Sequence, residues 1–191
     1  MELKELIKNL AIELTQKAID YMIIGGQAVL IYGEPRLTRD IDITLGVGIE
    51  RIKDVEEIIR KLNLKIIPEN HLEFLRKTMV LPAIDEQTGI RVDFIFSFSE
   101  YEKEALRRVN KIKIDDVEVN YVSVEDLIIH KIISGRERDI EDVRVILIKN
   151  TNIDDDYIIK WLSAFEKVVE EKLVERYKQV KKKISESPAV S

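Results

Sequence analysis

At 191 residues, with 45% of them apolar and a formal net charge of −5, the chain has material for one folded core. It is neither a disordered polyelectrolyte nor a protein that would coat nucleic acid with its whole surface. It has no cysteine and two histidines, which excludes disulfides, thiolate zinc sites and a structural zinc site built on histidine alone. Any metal is then expected to be bound by oxygen, a preference shared by Mg2+, Mn2+ and Ca2+.

In chain order, Leu3, Leu6, Ile7, Leu10, Leu14 and Ala18 recur at helical spacing and predict an amphipathic helix over residues 2–18. The same segment alternates charge with apolar residues and lacks a signal-peptide core, so a cytosolic location is expected. The longest apolar stretch, Tyr21 to Tyr32, is broken by Gly25, Gly26 and Gln27 and falls short of the roughly 20 residues that cross a bilayer. It reads instead as a short buried strand, MII, a turn at Gly25-Gly26 and a helix, QAVLIY, ended by Gly33-Glu34-Pro35.

DIDITL follows as a strictly alternating strand, and Ile52 to Leu62 as a helix. LKIIP, TMVLPAI and IRVDFIFS are further strands, residues 99–108 a helix, and KIKI-DD-VEVNYV a hairpin turning at Asp115 and Asp116. From Ser123 the period is helical throughout. Ser123-x-x-Asp126 resembles a capping box, Gly135 separates two helices, and Asp154 to Lys183 reads as one long closing helix able to dimerise. Expected is an α+β protein: a core with a small mixed sheet and flanking helices over residues 1–122, a helical subdomain over 123–184, and a disordered tail over 185–191.

An Asp-x-Asp pair alone means little in a chain this rich in aspartate, and Asp154 and Asp156 supply a second one, best explained as an N-cap cluster. Context distinguishes the first. Strand alternation puts Asp40 and Asp42 on one face, about 7 Å apart, with Ile41 and Ile43 turned into the core. In IRVDFIFS, Val92, Phe94 and Phe96 form the buried stripe, and Asp93 stands on the opposite face. Were the two strands neighbours, three carboxylates would share one place, where two divalent ions about 3.5–4 Å apart would support in-line phosphoryl or nucleotidyl transfer. Gly25 and Gly26, between a strand and a helix, offer backbone N–H groups and a helix N-terminus to an anion. Arg36 and Arg39 flank the acids, where cations would steady a triphosphate.

Gly-Gly, a short helix and then Asp-Ile-Asp on the next strand resembles the DNA polymerase β-type nucleotidyltransferase superfamily. R-x-T-R-D-I-D-I together with EDLIIHKIISGRERDIEDV is similar, more narrowly, to the AbiEii-like nucleotidyltransferases, many of them toxins of toxin–antitoxin pairs. The resemblance covers roughly residues 20–97 and 123–148. It implies catalysis and metal binding by Asp40, Asp42 and Asp93, with Mg2+ or Mn2+, and nucleotide binding by Gly25, Gly26, Arg36, Arg39 and Lys131. It also implies an NTP substrate, an RNA or protein hydroxyl as acceptor, and an antitoxin partner. From spacing alone, Lys131 reads as an exposed helical lysine. A small-molecule nucleotidyltransferase of the antibiotic type and a non-catalytic nucleotide sensor on the same fold are the alternatives. An Asp-x-Asp glycosyltransferase would leave the glycines and Asp93 unexplained.

Overall fold

The computed structural model describes residues 2–35, 37–97 and 99–186, which divide into two compact units. One takes the described residues up to Ala28 and from Leu37 to Val122. The other takes the segment from Val29 to Pro35 and everything described from Ser123 onward.

The first unit opens with α1 (Leu3–Gln16), which buries Leu6, Ile7, Leu10, Ala11 and Leu14 along one stripe. Then come β1 (Tyr21–Ile24), α2 (Gly25–Tyr32, whose first turn lies in this unit), β2 (Asp40–Leu45), α3 (Ile52–Lys61), β3 (Lys65–Ile66), α4 (His71–Thr78), β4 (Val80–Asp85) and β5 (Ile90–Phe96). The unit closes with α5 (Glu100–Arg107) and the hairpin β6 (Asn110–Ile114) and β7 (Val117–Tyr121). Among the described residues the strands form one seven-stranded mixed sheet, ordered β3-β4-β5-β2-β1-β7-β6. β2 pairs antiparallel with β1 and parallel with β5, so the C-terminal end of β1 and the N-terminal ends of β2 and β5 lie together. Ile41, Ile43, Val92, Phe94 and Phe96 are essentially fully buried, and their burial fixes which face the intervening residues show.

The second unit is helical: the rest of α2, then α6 (Val124–Ser134), α7 (Glu137–Lys149), α8 (Asp155–Val169) and α9 (Leu173–Glu186). Ser123 caps α6 by accepting from the Asp126 amide at 3.1 Å, and Gly135 ends it at φ +64°. The expected α+β class is the observed one, and among the described residues no helix is long and apolar enough to cross a membrane.

Three expectations are corrected. LKIIP pairs only at Lys65 and Ile66, and the chain beyond it forms α4, a helix the sequence pattern hides because Leu72 and Phe74 stay exposed and only Leu75 is buried. The single closing helix is broken: Glu170 takes a left-handed conformation, φ +57°, at the end of α8. The break turns Leu173, Tyr177 and Val180 into the unit's interior, where the Tyr177 hydroxyl donates to Asp155 near the start of α8 and the Val174 amide donates to Glu166 at 2.9 Å. A continuous helix would carry these groups away from α8. Ser185 and Glu186, assigned to a disordered tail, complete α9, and residues 187–191 lie outside the described residues.

Glu170 sits where glycine carries no Cβ penalty. Glu170→Gly is therefore expected to stabilise the protein by about 0.5–1 kcal/mol, read as a rise in the urea midpoint with an unchanged slope.

Candidate active site

Alternation along β2 turns Asp40 and Asp42 to one face while Ile41 and Ile43 fill the core behind them. β5 lies parallel beside it, with Asp42 opposite Asp93 and Asp40 opposite Arg91. Opposed residues of paired strands share a face, so the sheet presents a four-cornered patch of three carboxylates and one guanidinium. Arg91 Nε donates to Asp93 Oδ1 at 2.8 Å. That hydrogen bond, opposed by partial desolvation and reinforced by the charges of Asp93, Asp40 and Asp42, raises the guanidinium pKa above its ordinary value. The sequence pattern gives Arg91 no part in the site, which it enters only through its pairing with Asp40.

β1 delivers the fifth element. Its last residue, Ile24, pairs with Asp42, and Gly25 follows with φ +63° to begin α2. A Cβ on Gly25 would lie 2.1 Å from Asp42 Oδ2, so the carboxylate occupies the space that a side chain would need. The positive φ favours glycine at this position, and any side chain there would have to displace the Asp42 carboxylate. At Gly26 a Cβ would meet Thr38 Oγ1 at 2.6 Å, which presses the loop before β2 against the entry of α2. Gln27, buried, donates Nε2 to the Asp40 carbonyl at 3.2 Å and ties the start of β2 to the same turn. Sequence reasoning passed over Gln27, although a glutamine in an otherwise apolar helix is a visible signal. Arg39 is exposed immediately before Asp40, and Arg36 lies outside the described residues.

Carboxylates in this register suit a hard divalent cation in donor chemistry. Among the described residues, however, no three carboxylate or imidazole groups stand gathered as a finished metal-ligand set. Asp93 is engaged by Arg91, and Asp42 lies over Gly25. The backbone places the donors; the side chains are not drawn in.

Lys131 belongs to the helical unit and is buried rather than exposed. Its ammonium contacts Asp139 Oδ1 at 2.5 Å and Asp142 Oδ2 at 2.9 Å, and Arg136 and Ser134 donate to the other Asp139 oxygen at 2.5 and 2.7 Å. Burial alone would raise the Asp139 pKa; the hydrogen bonds from Arg136, Lys131 and Ser134 outweigh it and hold the carboxyl at about 2. The lysine's charge is thus spent on two carboxylates inside its own unit. Trp161 and Phe165 pack along α8 with ring centroids 6.5 Å apart, as their spacing suggests.

Residues 1–185 match the model of a family described as a nucleotidyltransferase of unknown function (DUF6036). The chain belongs to this family and is a nucleotidyltransferase. The fold is similar to that of an antigenic nucleotidyltransferase-like protein from Paracoccidioides brasiliensis, at 18% identity over 93% of this chain and 92% of that one, with a TM-score of 0.57. It is also similar to ANT(2")-Ia in complex with adenylyl-2"-tobramycin, at 18% identity over 94% and 97% with a TM-score of 0.55. The lincosamide antibiotic adenylyltransferase LnuA, lincomycin-bound, is a third, at 15% identity over 78% and 99% with a TM-score of 0.53. At such identities the likeness is one of fold. No curated protein matches the chain by sequence.

Gly25→Ala should abolish nucleotidyl transfer, because the new methyl group and the Asp42 carboxylate claim one place. Gly89→Ala, with φ +73° but nothing within 4 Å of its Cβ, should cost only about 1–2 kcal/mol of backbone strain and leave transfer intact. Rates and urea midpoints of the two variants separate site geometry from strain. For Asp139 the folded pKa is depressed from 3.8, so its stabilisation is complete above pH 4 and lost as pH falls toward 2. Asp139→Asn should therefore shrink the stability difference between pH 4.5 and pH 2.5 by about 1–2 kcal/mol, measured by urea unfolding at both values.

Proposed function

We propose that the chain transfers an NMP from an NTP to a hydroxyl, with Asp40, Asp42 and Asp93 as the ligands of Mg2+ or Mn2+. The observation that carries this reading is the register: Asp42 opposite Asp93, Asp40 on the same face, and a glycine turn against them. Enzymes of this fold use divalent metal ions. When bound, such ions neutralise phosphate charge and bring nucleotide and acceptor oxygen into line.

The chain's own residues supply the rest. Amides at the Gly25-Gly26 entry of α2 receive the triphosphate, favoured by the helix N-terminus, and Arg39 adds a cation at the rim. Asp93, the carboxylate contributed by the neighbouring strand, takes the proton of the attacking hydroxyl. A bond forms from that oxygen to the α-phosphorus, the α–β phosphoanhydride bond breaks, and pyrophosphate leaves with its electron pair. On the resemblance to AbiEii-like enzymes we assign RNA, through a terminal hydroxyl, as the acceptor, and a toxin role with an antitoxin partner follows from the same resemblance. The nucleotide is held for transfer, which favours this reading over a sensor, since a purely binding site has no use for three carboxylates on one face.

Labelled NTPs incubated with cellular RNA, total protein and aminoglycoside or lincosamide hydroxyls identify the acceptor by where the label goes. Asp40→Asn and Asp42→Asn should each slow transfer by about 10²–10⁴ while leaving the melting temperature at or above that of the wild type, because each removes like charge. Transfer that survives both substitutions would sink the reading.

A further inference from the structure

We propose that Arg91 is a built-in counterion, holding the cation position among Asp40, Asp42 and Asp93 until a divalent ion displaces it. This rests on the metal-binding reading above and adds to it a residue and a competition. The register carries the proposal: Arg91 opposes Asp40, lies two residues from Asp93 on the same face, and completes with Asp42 the four corners of the patch.

Three carboxylates on one face, about 5–8 Å apart along and across two strands, repel one another, and a fold that must exist before its nucleotide arrives needs a positive charge there. Arginine supplies one at every relevant pH, because its guanidinium does not lose its proton. It can leave only by moving. The hold on Asp93 is suited to that: a single N–H···O contact through Nε, in place of a two-pronged fork, between side chains 47% and 22% exposed. Exposed pairs of this kind are weak, so a divalent ion with several oxygen ligands can take Asp93 from the arginine.

The test is Mn2+ binding to the nucleotide-free full chain, followed by the loss of the free-ion EPR signal, in the wild type, Arg91→Met, Arg91→Lys and Asp42→Asn. A displaced positive charge about 6 Å from a divalent ion in largely aqueous surroundings predicts about tenfold tighter Mn2+ binding in Arg91→Met and near wild-type affinity in Arg91→Lys. In EDTA, Arg91→Met should lower the melting temperature by about 2–4 °C, and adding Asp93→Asn should restore it. Mn2+ binding that requires Asp42 but is unchanged within twofold in Arg91→Met would overturn the counterion role and leave the metal site standing. Mn2+ binding indifferent to Asp42 would overturn both.

Discussion

The site depends on one register. β2 and β5 pair in parallel with Asp42 opposite Asp93, and a slip of one residue would turn the carboxylates of one strand into the core and its Ile or Phe residues into solvent. That slip is prevented from behind. Ile41, Ile43, Val92, Phe94 and Phe96 are buried to within 1% of complete, and each is worth roughly 1.5–3 kcal/mol against exposure. Hydrophobic burial on one face therefore pays for charge proximity on the other.

Given that register, the glycine turn follows. β1 runs antiparallel to β2 and ends beside Asp42, so the residue that turns the chain into α2 meets the carboxylate whatever else it does. The close approach at Gly25 serves two ends with one residue: it lets the chain reverse with positive φ, and it lets the acid lie flat against the backbone. Gln27 and Thr38 then hold the loop that precedes β2 to the same turn. Strand, turn and acid are mechanically one object, and a change at any of the three is felt at the others.

Much of this was legible in the sequence because the acids alternate with apolar residues: DIDI and RVDFIF each declare a buried face and, by exclusion, an open one. The α+β class, the hairpin at Asp115 and the caps at Ser123 and Gly135 were legible for similar local reasons. What escaped was set by partners distant in sequence. Arg91 becomes part of the site only through its pairing with Asp40, and pairing register is not written in either strand alone. Burial of Lys131 depends on Asp139 and Asp142, eight and eleven residues on and beyond the turn at Gly135, outside the i,i+4 window that a helix reading inspects. The break at Glu170 has no glycine or proline to announce it and is enforced by what Tyr177 gains on folding back. In α4 the pattern itself is absent, since most of its apolar residues never enter a core.

The two cation–carboxylate groups show how burial divides one chemistry into two uses. The side chains of Lys131, Asp139 and Asp142 are 2–10% exposed, the ammonium has two carboxylates, and Asp139 is further satisfied by Ser134 and by the exposed Arg136. Taking Lys131 away would strand two carboxylates in a place water barely reaches, so the arrangement is costly to break. Around Asp93 the same ingredients lie nearer solvent, the arginine 47% and the carboxylate 22% exposed, with one contact between them and two further acids within the arginine's field. There the penalty for separation is small, because solvent replaces the lost partner, and a competing cation meets little resistance. A structural lock and an exchangeable site need no different residues; they need different depths. The sheet's acids lie nearer solvent than Asp139 and Asp142 do, at a depth that suits the cation exchange and metal-dependent transfer proposed above.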